Sequence, residues 1–69
     1  MKLQVITPDK IAYEGEVTAV TVPGSAGSFQ ILKDHAAIVS TLEDGKVIIK
    51  GNAGEEVIII KGGVVEVKD

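Results

Sequence analysis

The chain has 69 residues, with seven lysines, no arginine, ten carboxylates, one histidine, no cysteine and a formal net charge of -3. A chain of this length is expected to form one domain, residues 1–69, because it has no material for a second core. The acidic balance and the presence of only two aromatic residues, Tyr13 and Phe29, argue against nucleic acid as a partner, since that partner requires a basic surface and stacking platforms.

The β-branched residues dominate the composition. Ten valines, nine isoleucines and four threonines stand against three leucines and one methionine, a mixture that favours strands over amphipathic helices. Turn residues separate eight predicted strands, at residues 3–6, 10–13, 16–22, 28–32, 36–42, 46–50, 55–61 and 64–67. The predicted fold class is all-β, a small antiparallel β-sandwich of about eight short strands, with a small barrel as the alternative.

Two of these segments contain unbroken apolar runs, Val47–Ile49 and Val57–Ile60. A strand with one solvated face should instead alternate between apolar and polar residues. One interpretation is a barrel corner, where a strand serves two sheets. The other is an exposed apolar patch that binds a protein partner. The pattern alone leaves both open.

A nucleophilic site can be drawn around His35, with Asp34, Ser28 and Ser40 as its companions. The chain has no G-x-S-x-G motif, and a histidine after Lys33 and Asp34 is more often a turn residue that bonds nearby backbone. One histidine with scattered carboxylates also lacks the spacing of metal ligands. We therefore expect no catalytic residue, no metal and no cofactor, and an enzyme that uses His35 stays as an alternative.

Two further features have structural interpretations. Pro23–Phe29 contains two glycines but lacks the Lys-Ser/Thr ending of a P-loop, so it is interpreted as a structured turn. Glu14 and Glu16 flank Gly15 and are interpreted as a solvated strand edge rather than a pair of catalytic acids. No apolar run approaches the roughly 20 residues of a membrane-spanning helix, and no signal peptide follows Met1. We expect a chain without a direct bilayer span that is soluble in isolation.

Several segments, taken in order, resemble a known family. They are Ile6–Asp9 (ITPD), Tyr13–Val17 (YEGEV), Val20–Phe29 (VTVPGSAGSF), Ile31–Leu32 with His35–Ala36, and Gly62–Gly63 before Val65–Val67. No single motif is specific, but their order and spacing resemble the β-sandwich domain of the F-type ATP synthase epsilon subunit, called delta in mitochondria. The resemblance covers essentially the whole chain.

The resemblance implies a non-catalytic subunit of the central stalk in a proton-translocating F-type ATP synthase. Such a rotor subunit links the gamma subunit to the ring of c subunits during rotary ATP synthesis, on the cytoplasmic side of the bacterial inner membrane. By this analogy the loop from Ser28 to His35 faces the c-ring, with Ser28, Phe29, Lys33 and His35 as contact residues. Thr7 and Ser40 are expected to face gamma.

The chain departs from the family pattern in the ring-facing segment. Gln30 replaces a usual glycine, Lys33 and Asp34 replace a usual Pro-Gly, and Ala37 replaces a usual proline. Losing these conformational restraints raises the entropy of the unfolded segment and alters its shape. We therefore expect ring binding to be less secure than gamma binding.

The resemblance also implies that the family's sandwich continues past residue 67 into another strand, which would leave the present chain with an unpaired edge. Many members then add a two-helix domain that inhibits hydrolysis or binds ATP, and neither property is carried over to this chain. The alternative function is a lipoyl- or biotinyl-like carrier, or another small β-sandwich that binds proteins. A carrier presents a modified lysine at a hairpin tip, and Lys33 before Asp34 does not match its usual sequence.

Overall fold

The computed structural model describes residues 1–34 and 37–68, and within these ranges every regular element is a strand. Two four-stranded antiparallel sheets face each other, so the predicted all-β sandwich is confirmed. The strands are β1 (Lys2–Thr7), β2 (Lys10–Glu16), β3 (Ala19–Gly24), β4 (Gly27–Leu32), β5 (Ile38–Leu42), β6 (Gly45–Gly51), β7 (Gly54–Ile60) and β8 (Gly63–Lys68).

The strand order explains how the ends of the chain meet. Sheet 1 has the order β2-β1-β8-β5, and sheet 2 has the order β4-β3-β6-β7. The last strand, β8, lies between β1 and β5 and is hydrogen-bonded to both. Strand β8 is therefore not an edge of sheet 1, whose edges are β2 and β5. The expectation that a further strand would cover one edge stays a prediction.

The boundary between the second and third strands differs from the prediction. Strand β2 continues through Gly15 to Glu16 instead of ending at Tyr13, and β3 begins at Ala19 instead of Glu16. Gly15 does not break the strand because it pairs with Leu3 in the β1–β2 ladder. The fifth strand begins at Ile38, and its predicted start at Ala36 lies outside the described residues.

The interior between the sheets is apolar and mostly aliphatic. No polar or charged side chain is buried among the residues that the structure describes. The side chains at its centre alternate along four inner strands: Leu3, Val5, Val65 and Val67 from sheet 1, and Val20, Val22, Val47 and Ile49 from sheet 2. Because this alternation fixes which residues point inward, it also fixes which residues the outer faces present to other molecules.

A bulge in sheet 1 changes the outward pattern of β2. Val5 pairs with Tyr13, but the next pair is Ile6 with Ile11, so Ala12 is an extra residue on β2. Ala12 is half-buried and packs against the core. As a result Ile11 lies beside Ile6, and both are exposed.

Gly63 allows β8 to begin close to the end of β1. Its φ is +145°, a conformation that residues with a side chain rarely adopt. A Cβ atom at this position would overlap the backbone carbonyl oxygen of Ile6. Glycine is therefore required here, where the backbones at the end of β1 and the start of β8 approach each other closely.

Candidate functional site

The residues predicted to face the c-ring lie along strand β4 rather than in a loop. Ser28 and Phe29 are near the start of β4, and Lys33 directly follows its end at Leu32. At about 3.4 Å per residue, Ser28 and Lys33 are separated by roughly 17 Å along the strand. His35 lies outside the described residues. The predicted contacts therefore form a line along one edge of sheet 2.

Phe29 is held in place at the hairpin that joins β3 to β4. Gly24 pairs with Gly27 across a two-residue turn, Ser25 and Ala26. A Cβ atom on Gly24 would lie 2.8 Å from the ring of Phe29, so the ring packs directly over this glycine. The ring stays partly exposed at the same end of the sandwich as Ser28.

Lys33 lies at the opposite end of β4. Its backbone nitrogen donates a hydrogen bond to the carbonyl oxygen of Thr18 (3.0 Å). The backbone nitrogen of Thr18 in turn donates to the carbonyl oxygen of Lys50 (2.8 Å). Lys33 and Asp34 begin the connection from β4 in sheet 2 to β5 in sheet 1. A carrier lysine would instead lie at a hairpin tip, so this position does not favour the lipoyl or biotinyl alternative.

The two residues predicted to face gamma both belong to sheet 1. Thr7 ends β1, and its hydroxyl lies 2.8 Å from Asp9 Oδ1 and 3.1 Å from the carbonyl oxygen of Lys10. The hydrogen bond from Thr7, with those from the backbone, holds the pKa of Asp9 below its usual value. Ser40 lies on the edge strand β5 and donates to the carbonyl oxygen of Thr41 (3.2 Å).

The outer face of sheet 1 presents exposed aliphatic side chains near these two residues. Ile11 is 55% exposed and Val39 is 70% exposed, and Ile6 is also exposed. Ile11, Ile6 and Val64 lie side by side across β2, β1 and β8. Val39 pairs with Glu66 and is a diagonal neighbour of Val64, whose own partner on β5 is Thr41. Exposed aliphatic residues grouped in this way are typical of surfaces that bind another protein.

The outer face of sheet 2 carries a second aliphatic group. Val57 is 50% exposed and Ile59 is 76% exposed, and both point away from the core, which Ile60 enters. Each of β6 and β7 belongs to sheet 2 alone, so the interpretation as a barrel corner is wrong. Val57 and Ile59 are exposed, as the second interpretation predicts, and the binding of a protein partner there stays a prediction.

The residues considered for catalysis are not brought together where the structure describes them. Ser28 and Asp34 lie at opposite ends of β4, and Ser40 lies in the other sheet. Residues 1–34 and 37–68 contain no group of three potential metal ligands. In the same ranges there is also no helix long and apolar enough to cross a membrane.

The family model of the ATP synthase delta/epsilon chain beta-sandwich domain matches residues 1–69. The chain belongs to this family. It is 46% identical over 69 residues to an ATP synthase epsilon chain of Leptospira interrogans, and 40% and 41% identical over 70 residues to those of a Sulfurovum species and Campylobacter jejuni. Each alignment covers the whole chain and 54% or 55% of the relative. The chain thus spans about half the length of these relatives.

Membership of the delta/epsilon sandwich family confirms the resemblance found in the sequence. The surface residues that sequence reasoning missed are Ile11 and Val39, which are among the most exposed aliphatic residues. No sequence signal identifies Ile11, because the bulge at Ala12 shifts its phase within β2. Val39 alternates with Ile38 and Ser40, but alternation does not reveal which set faces inward.

Proposed function

We propose that this chain acts as a non-catalytic central-stalk subunit of a proton-translocating F-type ATP synthase, where it links the gamma subunit to the c-ring during rotary ATP synthesis. The observation that carries the proposal is the family match over residues 1–69. The relatives named above are epsilon chains of ATP synthase. Through the complex, the chain would lie peripherally on the cytoplasmic side of a bacterial inner membrane.

The gamma subunit is assigned to the outer face of sheet 1. The exposed side chains of Ile11 and Val39 lie on this face. Thr7 and Ser40 belong to the same sheet, but they alternate in phase with the buried Val5 and Val65 and so do not lie on the outer face. Burying such side chains against a partner contributes about 25 cal/mol for each square ångström of apolar surface removed from water. This supports an association that depends on aliphatic contacts more than on surface ion pairs.

The c-ring is assigned to the exposed edge of sheet 2 formed by β4. Ile31 is the only buried residue of β4, so the rest of the strand is available for contact. Ser28 and Phe29 would meet the ring at one end of this edge and Lys33 at the other; His35, the fourth contact residue expected by analogy, lies outside the described residues. A contact that is spread along a strand does not require the Pro-Gly turn that Lys33 and Asp34 replace. Gln30 also offers its side-chain amide to the ring on the outer side of β4.

The decisive experiment is co-purification with the cognate gamma subunit. The wild-type chain is expected to bind gamma, whereas Val39→Asp should weaken binding at least tenfold because it places a charge in an apolar contact. Ile59→Asp is the matched control, since Ile59 is exposed to a similar extent on the other sheet. Failure of the wild-type chain to bind gamma would overturn the proposal, and equal loss in both variants would overturn the assignment to sheet 1.

Ring binding is tested separately with the gamma complex and c-ring-containing membranes. Phe29→Asp and Lys33→Glu should each lower retention on these membranes and leave binding to gamma unchanged. Retention equal to wild type in both variants would contradict the assignment of the ring to β4. ATP hydrolysis by the isolated chain would contradict a non-catalytic role.

A further inference from the structure

The outer face of sheet 1 carries its side chains in rows that run across the strands. Residues that pair across β2, β1 and β8 share a row, because directly opposed residues point to the same side of a sheet. Along β1 and β8, neighbouring rows are two residues, or about 6.8 Å, apart. The members are Ile11, Ile6 and Val64 in the aliphatic row, Glu14, Gln4 and Glu66 in the acidic row, and Lys2 and Lys68 in the basic row.

The acidic row ends in a carboxylate that no cation of the described residues satisfies. Gln4 Nε2 donates a hydrogen bond to Glu14 Oε2 (3.0 Å). Neither ion pair of residues 1–34 and 37–68 includes Glu66, which is half-buried and lies beside Val39 of β5. A partner that covers Val39 also removes this carboxylate from water. Such burial is unfavourable unless the partner supplies a cation or other hydrogen-bond donors.

The basic row places two like charges opposite each other. Lys2 pairs directly with Lys68, an arrangement that destabilises a sheet. The neighbour of Lys2 on the other side is Glu16, whose Oε2 lies 3.2 Å from the amino group of Met1. Both lysines are exposed, and neither belongs to an ion pair of the described part of the chain. Two adjacent ammonium groups of this kind can donate to one carboxylate of a partner.

The two charged rows give this face a direction without giving it a net charge. The two glutamates of the acidic row balance the two lysines of the basic row, and a hollow of about 360 Å³ lies over both rows. A partner with a cation and a carboxylate at matching positions satisfies both rows in one orientation. The reversed orientation brings like charges together and is disfavoured.

We propose that the gamma subunit presents three matching groups to this face in the same order as the rows. Aliphatic side chains of gamma contact the aliphatic row, a lysine or arginine binds Glu66, and a carboxylate binds Lys2 and Lys68. This rests on the proposed function, since it names the chemistry of gamma at the face assigned to it. The aliphatic contacts supply most of the affinity, and the charged rows select the orientation of gamma.

An exchange of charges within β8 tests the order of the rows. The double variant Glu66→Lys with Lys68→Glu keeps the net charge of -3 and removes the like-charge pair with Lys2, so it should remain folded. Its dissociation constant for gamma, measured by surface plasmon resonance, should rise at least tenfold because both rows then meet like charges. Circular dichroism checks that the variant is folded.

An exchange on the other sheet is the matched control. Lys50 Nζ lies 3.9 Å from Glu55 Oε1 on the outer face of sheet 2, and both side chains are about half exposed. Lys50→Glu with Glu55→Lys therefore keeps both the pair and the net charge, and should leave binding to gamma unchanged. An equal loss of affinity in the two exchanges would overturn the assignment of the charged contacts to sheet 1.

The cation of gamma is located by rescue. Glu66→Gln leaves that cation without a charged partner, so this conservative variant should weaken binding about tenfold. Glu66→Lys should weaken binding further. Reversing the charge of each lysine and arginine of gamma in turn should then give one gamma variant that restores binding to Glu66→Lys within about threefold of wild type. If no gamma variant restores it, no cation of gamma faces Glu66 and the proposal is overturned.

The wild-type chain separates this proposal from the proposed function. If it does not bind gamma, both fail. If it binds gamma and Val39→Asp weakens binding, whereas the exchange within β8 does not, the face binds gamma but the order of its charges has no role. That result would overturn only the present proposal.

Discussion

Replacing Gly63 with alanine is expected to destabilise the sandwich at the point where β1 and β8 meet. The positive φ of Gly63 (+145°) costs about 1–3 kcal/mol for a residue with a side chain. Relieving the overlap between the new Cβ and the carbonyl oxygen of Ile6 requires a backbone shift, which costs about 1–3 kcal/mol more. The sum, roughly 2–6 kcal/mol, is a large share of the roughly 3–10 kcal/mol expected for a domain of this length.

The assay is urea denaturation and thermal unfolding followed by circular dichroism. A loss of at least 2 kcal/mol corresponds to a decrease in Tm of about 8 °C or more in a domain of this size. Gly51→Ala is the matched control, because a Cβ there would lie 3.8 Å from the carbonyl oxygen of Glu16, which is ordinary contact. Gly63→Ala within about 0.5 kcal/mol of wild type would refute the argument, as surface substitutions without strain fall in that range.

Three further predictions concern single contacts. Thr7→Val should raise the pKa of Asp9 towards its usual value, measured by NMR titration, and an unchanged pKa would contradict the role of the hydroxyl. Because the pKa in the folded state is depressed, the carboxylate's contribution to folding stability is present at neutral pH and is lost as the pH falls through that pKa. Glu16→Gln weakens the 3.2 Å contact with the amino group of Met1, and should lower the free energy of unfolding by at most about 1 kcal/mol because the glutamate is 70% exposed. A larger loss of stability in urea denaturation would contradict this prediction. Val65→Ala, at a side chain with no exposed surface, should cost about 2–3 kcal/mol in the same assay, and a neutral result would show that the core collapses to fill the space.

The number and type of the strands could be predicted because valine and isoleucine alternate between regular turn residues. The prediction failed at Gly15, where a glycine was expected to end the strand. The ring of Tyr13 explains the difference, since a Cβ on Gly15 would lie only 3.3 Å from the Tyr13 hydroxyl oxygen. The aromatic ring lies over the glycine and supplies the cover that the missing side chain does not.

The candidate surfaces were less predictable because they depend on which sheet receives each strand. The connections after β2, β4, β5 and β7 all pass from one sheet to the other, and no residue motif marks them. The order that brings Thr7 and Ser40 into one sheet, and Val57 and Ile59 onto the other, is therefore a property of the complete packing. Ile11 became part of the outer face of sheet 1 only through the bulge at Ala12.

The central position of β8 has a consequence for synthesis of the protein. Sheet 1 joins β1 to β8, the first and the last of the described strands. Until Val65 and Val67 emerge, Leu3 and Val5 have no central strand to pack beside, and β5 has no strand to pair with. Contacts between such distant parts of a chain form slowly. Until β8 emerges, a growing chain therefore holds the inward aliphatic residues of β1 and β5 without the strand that joins them, and a chain cut short before β8 would lack a complete sheet 1.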